Sequence, residues 1–195
     1  DNTPLNFQAF GLSPIGGLSI DNATGEISGS PVNIGDFDVR IVATNDAGSD
    51  SDLLRIIVIP DTFADDGPAV EIISIGGVEL ATTPIPKFDA DNATLSILAE
   101  VEPDPGETLG SVFVRWVNPP STAGSAASIL VELLPDPDTG PSAFSGEITV
   151  GFSPKALEIG GGSINLEVVA SQKSGANVLS FGKSDLAVIE VAPLI

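Results

Sequence analysis

The stretch that decides the fold is Gly17-Leu18-Ser19-Ile20-Asp21-Asn22-Ala23-Thr24-Gly25-Glu26-Ile27-Ser28-Gly29-Ser30-Pro31, followed by a strand that closes on Val42-Ala43-Thr44-Asn45. Leu18 and Ile20 point one way and Ser19 the other, so 17–20 reads as a short, half-buried strand. Asp21-Asn22-Ala23-Thr24-Gly25 is a turn, because Asx side chains bond nearby backbone groups and Gly25 takes a positive φ without strain. Ile27 returns to the core, and Pro31, which has no N–H to give a ladder, closes the segment after Gly29-Ser30. Phe37, Val39, Ile41 and Ala43 then alternate with Asp38, Arg40, Val42 and Thr44, the pattern of a strand with one core face.

Working outward, the same grammar covers the whole chain. Apolar residues come in short runs separated by Gly, Pro, Asn and Asp, and helical periodicity is scarce. The predicted strands of the first part lie near 5–10, 17–20, 26–28, 36–44 and 51–59, the last stopped by Pro60. Those of the second lie at 69–75, 78–80, 94–101, 111–117, 128–134, 144–150, 163–170 and 185–191. Leu95, Ile97, Ala99 and Val101 make one inward face, and Ile164, Leu166, Val168 and Ala170 make another. The 195 residues therefore divide into a first domain at 1–60, an acidic linker at 61–68 and a β-sandwich domain at 69–195. Pro119-Pro120 breaks the strand before a Ser/Ala/Gly-rich loop at 121–128, readable as solvated slack or as a binding loop.

The ordered series from Pro4 to Ile59 resembles the signature of the putative-Ig repeats, the cadherin-like domains of the dystroglycan type that occur in tandem in large secreted and surface proteins. Two residues, Ile15 and Gly16, are additional to the pattern and read as a loop change. Trp116 falls on the third main strand of the second domain, where Ig-like domains often bury a tryptophan, so that domain resembles bacterial Ig-like domains. The resemblance implies an all-β fold of two tandem Ig-like/cadherin-like β-sandwich domains, the first lacking its N-terminal strand. That strand is expected to be either truncated or donated by a neighbouring chain, as in donor-strand polymers. The absence of Met points to a processed or excised chain.

Composition removes several classes of function. Histidine and cysteine are absent, so Ser-His-Asp and Cys-His catalysis, His-ligated zinc and disulfides are impossible. With one Trp and no Tyr, aromatic platforms for sugar are nearly missing, and no enzyme activity is expected. A net charge of −20 excludes nucleic-acid binding, which needs clustered Lys and Arg, and disfavours anionic membranes. No run approaches the roughly 18 apolar residues of a membrane helix, so no membrane insertion is expected.

Calcium is the cofactor the sequence leaves open, since it takes oxygen ligands from carboxylates, Asn and backbone carbonyls. Asp61, Asp65 and Asp66 of the linker, with Asp46 of the 45–50 loop, are candidate ligands at the domain junction. The linker resembles the Asp-rich junctions at which cadherins place calcium, although the Asp-Arg-Glu and Asp-X-Asn-Asp-Asn motifs are missing. Asp89 and Asp91 form a weaker set, Glu102, Asp104 and Glu107 a third, and Asp136 with Asp138 a fourth. Asn22-Ala23-Thr24 and Asn92-Ala93-Thr94 match the glycosylation acceptor pattern. The expected function is a non-catalytic extracellular structural or adhesive module of a large cell-surface or secreted protein. The alternatives are a subunit of a self-assembling filament or sheath, with Val188–Ile195 as strand donor or merely last strand, and an accessory module of a secreted polysaccharide hydrolase. Its expected partners are proteins, itself or a cell-surface molecule, with carbohydrate as a further class.

Overall fold

The computed structural model describes residues 5–60, 67–80, 87–88, 93–117, 119, 130–150, 162–174 and 178–191. The chain divides into two compact units, Asp1–Thr62 and Phe63–Ile195, and every regular element described in either is a β-strand.

In the first unit, strands β1 (Asn6–Phe10), β4 (Gly35–Asn45) and β5 (Gly48–Val58) form an antiparallel sheet in the order β1-β4-β5. β2 (Leu18–Ile20) and β3 (Ile27–Gly29) form a hairpin with Ile20 level with Ile27. Its turn is built as the residue types dictate. The Asp21 carboxylate accepts the N–H groups of Ala23 at 2.7 Å and Thr24 at 3.0 Å, and Gly25 N–H bonds the Asp21 carbonyl at 2.8 Å. These two bonds, from Thr24 first and then Ala23, hold the Asp21 carboxyl below its ordinary pKa. The turn's contribution is therefore present above the unfolded-state pKa and is lost as pH falls through the lowered folded value.

Two of the three buried apolar side chains at the centre of this unit, Leu12 and Ile15, come from the segment between β1 and β2; the third is Val39 on β4. Ile15, expected to be part of a loop change, lies in that irregular segment and is an anchor of the core. Its carbonyl accepts Asn33 N–H at 2.9 Å, while the Asn33 side chain donates to the Pro14 carbonyl at 2.8 Å. Ala9, Leu18, Ile20, Ile27, Phe37, Ile41, Ile56 and Val58 pack against this small centre while staying partly exposed.

In the second unit, β6 (Ala69–Ile75), β7 (Val78–Glu79), β9 (Ala93–Glu102) and β12 (Ala143–Val150) form one layer in the order β7-β6-β9-β12. β10 (Thr108–Val117), β13 (Gly162–Ser174), β14 (Val178–Lys183) and β15 (Ala187–Val191) form the facing layer. One edge of β13 pairs β10, and the other pairs β14 along its second half and β15 along its first. β11 (Leu130–Pro135) bridges the layers, pairing β10 through Leu130–Leu133 and β12 through Leu134 and Pro135. β8 (Lys87–Phe88) adds to the outer edge of β15 in parallel, the one parallel pair among the described strands.

Both predicted inward faces meet in this core. Leu95, Ile97, Ala99 and Val101 from one layer and Ile164, Leu166, Val168 and Ala170 from the other are all buried. Trp116 lies among them with 3% exposure, level with Leu166 on β13. β8 and β14 were not expected from the sequence, β10 and β13 are longer than expected, and 185–186 precede β15 as coil. The strand expected at 185–191 forms over Ala187–Val191, hydrogen-bonded to β13 and β8. A bulge in β10 between Leu109 and Val112 is filled from β13, where Ser171 Oγ accepts Ser111 N–H at 2.9 Å.

Candidate functional site

The acidic residues proposed as calcium ligands divide into those the structure places and those it does not. Asp46 sits exposed in the turn between β4 and β5, where Asn45 Oδ1 accepts Ala47 N–H at 2.9 Å. Asp61, Asp65, Asp66, Asp89 and Asp91 lie outside the described residues, as do the 121–128 loop and Asn92. Among the described residues, no group of three or more carboxylates is arranged to hold a metal ion.

Two of the remaining acidic sets have structural work. Asp104 clamps the β9–β10 loop to β13: its N–H bonds Gln172 Oε1 at 2.9 Å, and Gln172 Nε2 donates to Asp104 Oδ2 at 2.8 Å. Gln172 is fully buried, so this reciprocal pair satisfies an amide that would otherwise be costly to desolvate. Asp136 closes the turn between β11 and β12, its carbonyl accepting the N–H groups of Thr139 and Gly140, each at 3.2 Å. Asp136 and Thr139 also line a shallow groove of about 330 Å³ with Ser96, Leu98, Ser145 and Glu147, over the outer face of β9 and β12. That groove offers two carboxylates and a few hydroxyls, too few oxygens from charged groups for a built cation site.

The charge cluster that the sequence reading missed is on β13. Glu167 is 4% exposed at its side chain and bonds Arg115, its register partner on β10, and Lys183 Nζ at 3.4 Å. It belongs to the face of β13 opposite the core, where an acid reads as solvent-facing. Phe113, Val169 and Phe181 on that same face are buried as well, which is the signal in the sequence that the face is covered. Both carboxylate oxygens face cations, so the buried charge of Glu167 is paired and the cluster ties β13 to β10 and β14.

The remaining feature is an edge. β5 ends the sheet of the first unit, and over its first eight residues every side chain is exposed. Leu53 is 68% and Leu54 41% exposed, although Leu54 lies on the core-facing side of the strand, level with Val39. Ser51 N–H bonds Asp50 Oδ1 and Leu53 N–H bonds Asp52 Oδ1, each at 2.8 Å. By the alternation of an antiparallel ladder, the odd-numbered residues of β5 therefore turn their backbone groups to the open edge. Further along the strand, Arg55 grips Asp36 across the hairpin with bonds of 2.9 and 2.6 Å.

These features define the class: an all-β chain of Ig-like β-sandwich units, the second with an edge strand parallel to its last strand. Within it, residues 14–59 match the family described as "Putative Ig domain", under a quarter of the 195 residues and starting ten residues after the expected Pro4. No curated protein matches the chain. Among solved structures it is similar to the fibronectin(III)-like modules of Clostridium thermocellum CbhA, at 15% identity and TM-score 0.33, covering 98% of this chain and 80% of that one. Human protocadherin-24 EC1-2 is similar at 13% identity and TM-score 0.32, with 98% and 82% covered. BT4661, a SusE-like surface-located polysaccharide-binding protein from Bacteroides thetaiotaomicron, is similar at 14% identity and TM-score 0.28, with 96% and 29% covered. Each likeness is one of fold alone.

Proposed function

We propose that this chain is a non-catalytic structural or adhesive module of a large cell-surface or secreted protein. The observation that supports it is where the reactive side chains stand. Asp21, Asp36, Asp104 and Glu167 are engaged in turns, clamps and ion pairs, and the single Trp is in the core. Chemistry needs groups that converge on a cleft and remain available to a substrate. Sandwiches whose described acids serve turns, clamps and ion pairs suit spacing and presentation. The filament reading draws on the open edge of β5, but its donor is not 187–191, which is occupied as β15. The polysaccharide reading finds no platform in Trp116, which lies in the core.

The test is location. Antibodies raised against the chain should label intact cells of the source, or its secreted material, without permeabilisation, and external protease should remove the label. Labelling only after permeabilisation contradicts the proposal.

Calcium at Asp61, Asp65 and Asp66 with Asp46 is part of the same proposal and would stiffen the linker. Extracellular modules hold calcium at about 0.1–1 mM, so tenfold that concentration should stabilise by about 1.4 kcal/mol over the EDTA-treated protein. Superimposable melting curves in the two conditions rule it out.

A further inference from the structure

The sheet of the first unit has a second face, opposite the one that packs around Val39. On it Phe10, Arg40 and Leu53 stand level with one another on β1, β4 and β5. Phe10 is 55% and Leu53 68% exposed, and half-buried Val42 adjoins them two residues along β4. Between the two apolar side chains, Arg40 donates to Ser51 Oγ from Nε at 3.3 Å and from Nη2 at 3.2 Å. Among the described residues no carboxylate bonds it, although the chain carries 27 acids to 7 bases. A strand added beside β5 would extend the sheet sideways and leave this face as it is.

An apolar patch alone names no partner, but the unmet charges on this one do. The next residue of β4 on the same face is Asp38, exposed and level with Arg55 of β5. Arg55 is committed to Asp36, and among the described residues nothing bonds the Asp38 carboxylate. A free base and a free acid thus stand about 7 Å apart along one strand face. The relief follows the same two levels. Beside Arg40 rises the Phe10 ring, whereas beside Asp38 the chain turns inward. There Gly11 backs onto the Asp38 carbonyl, so closely that an added Cβ would stand 2.8 Å from its oxygen, and Leu12 is buried. One level therefore carries a base and a raised ring, and the next an acid and a flat place. Turned end for end, the pattern is its own complement.

We propose that this outer face binds the same face of a second copy of the chain, with Arg40 of each copy paired to Asp38 of the other. The two copies are related by a two-fold axis that crosses the strands between the levels of Asp38 and Arg40, so that β4 lies antiparallel over β4. Facing sheets stand about 10 Å apart, a gap that an Arg and an Asp reaching toward one another span. Phe10 of each copy then lies over Gly11 of the other, and Leu53 over the aliphatic stem of Arg55. A contact of this kind closes on itself and yields pairs. The net charge of −20 opposes the approach from a distance and is screened by salt. The inference rests on the adhesive reading and deepens it, naming the partner as a like chain.

The experiment is sedimentation velocity of the whole chain over a range of concentrations, at roughly 0.5 M salt, where the Debye length is about 4 Å. The chain should pass from monomer to dimer, and amide shifts of the isotope-labelled protein on dilution should centre on Phe10, Asp38, Arg40 and Leu53. Asp38→Arg alone and Arg40→Asp alone each set like charges together twice in the dimer, so each should weaken association about tenfold or more. Mixed one to one, these two variants should associate with each other as well as the original chain does with itself, because both exchanged pairs are then opposite in sign. That recovery also shows that both variants are folded. Phe10→Ser/Leu53→Ser should abolish association with circular dichroism unchanged. A chain that stays monomeric at about 1 mM overturns the proposal and leaves the face to a different protein. Shifts centred elsewhere, single variants that associate undiminished, or mixed variants that stay apart would each overturn it too. None of these results bears on surface labelling, so the two readings fail separately.

Discussion

Leu166→Ala should destabilise the second unit by about 2–5 kcal/mol, among the largest effects available to a single substitution in this chain. Leu166 is fully buried on β13, level with Trp116 on β10 and with Ala187 on β15, so no neighbour can collapse into the space without disturbing both flanking strands. The chain supplies its own probe, since Trp116 is the only tryptophan and lies in the same core. Denaturant unfolding followed by Trp fluorescence should show the midpoint moved to lower concentration with an unchanged slope, because the surface exposed on unfolding is the same. An unmoved fluorescence midpoint would mean that Leu166 is not in the core that holds the layers together.

Gly29→Ala should unfold the first unit while leaving the second in place. Gly29 has φ +123°, a conformation that L side chains rarely adopt, and an added Cβ would collide with the carbonyl of Gly17, the residue before the paired strand. The contact is backbone against carbon, so no side chain can swing aside. The strain and the clash together cost about 3 kcal/mol or more, against a unit whose centre has three buried apolar side chains among the described residues. Far-UV circular dichroism should lose the β-signal of the first unit, and the Trp116 transition should stay where it is. Ser28→Ala, at an exposed position of the same strand, should change stability by no more than about 0.5 kcal/mol.

What the sequence made legible follows from where a core face is regular. Leu95, Ile97, Ala99 and Val101, and Ile164, Leu166, Val168 and Ala170, were readable because every second residue is apolar and meets the core, although Leu98 and Val169 interrupt the alternation on the other face. Asp21 and Gly25 were readable because a tight turn admits few chemistries. Ile15 was not, since a buried residue in an irregular segment has no period to announce it. β8 escaped notice because two residues are too few to show alternation. β14 did because Gly182 interrupts its pattern where the Pro68 carbonyl packs against it.

The candidate sites were much less legible, for a physical reason. A carboxylate that caps a turn, as Asp21 and Asp136 do, and one that binds a cation occur in the same Asp/Asn/Gly-rich loops. Only the convergence of several of them tells the two apart, and convergence is a property of the fold. Glu167 shows the converse: its partners Arg115 and Lys183 stand on two other strands, 52 and 16 residues away, so no local motif marks the triad. The open edge of β5 is likewise a fact of topology. Leu53-Leu54-Arg55-Ile56-Ile57-Val58 reads as a buried strand, and the sheet order leaves part of it in solvent.

Stretching single molecules from end to end, between reference domains of known response, tests most directly whether the chain is a pair of independent sandwiches suited to bearing force. Asp1–Thr62 and Phe63–Ile195 should unfold in two separate events, lengthening the chain by about 200 Å and about 450 Å at roughly 3.6 Å per extended residue. A single event of the combined length, or gradual extension without a force peak, would contradict the account.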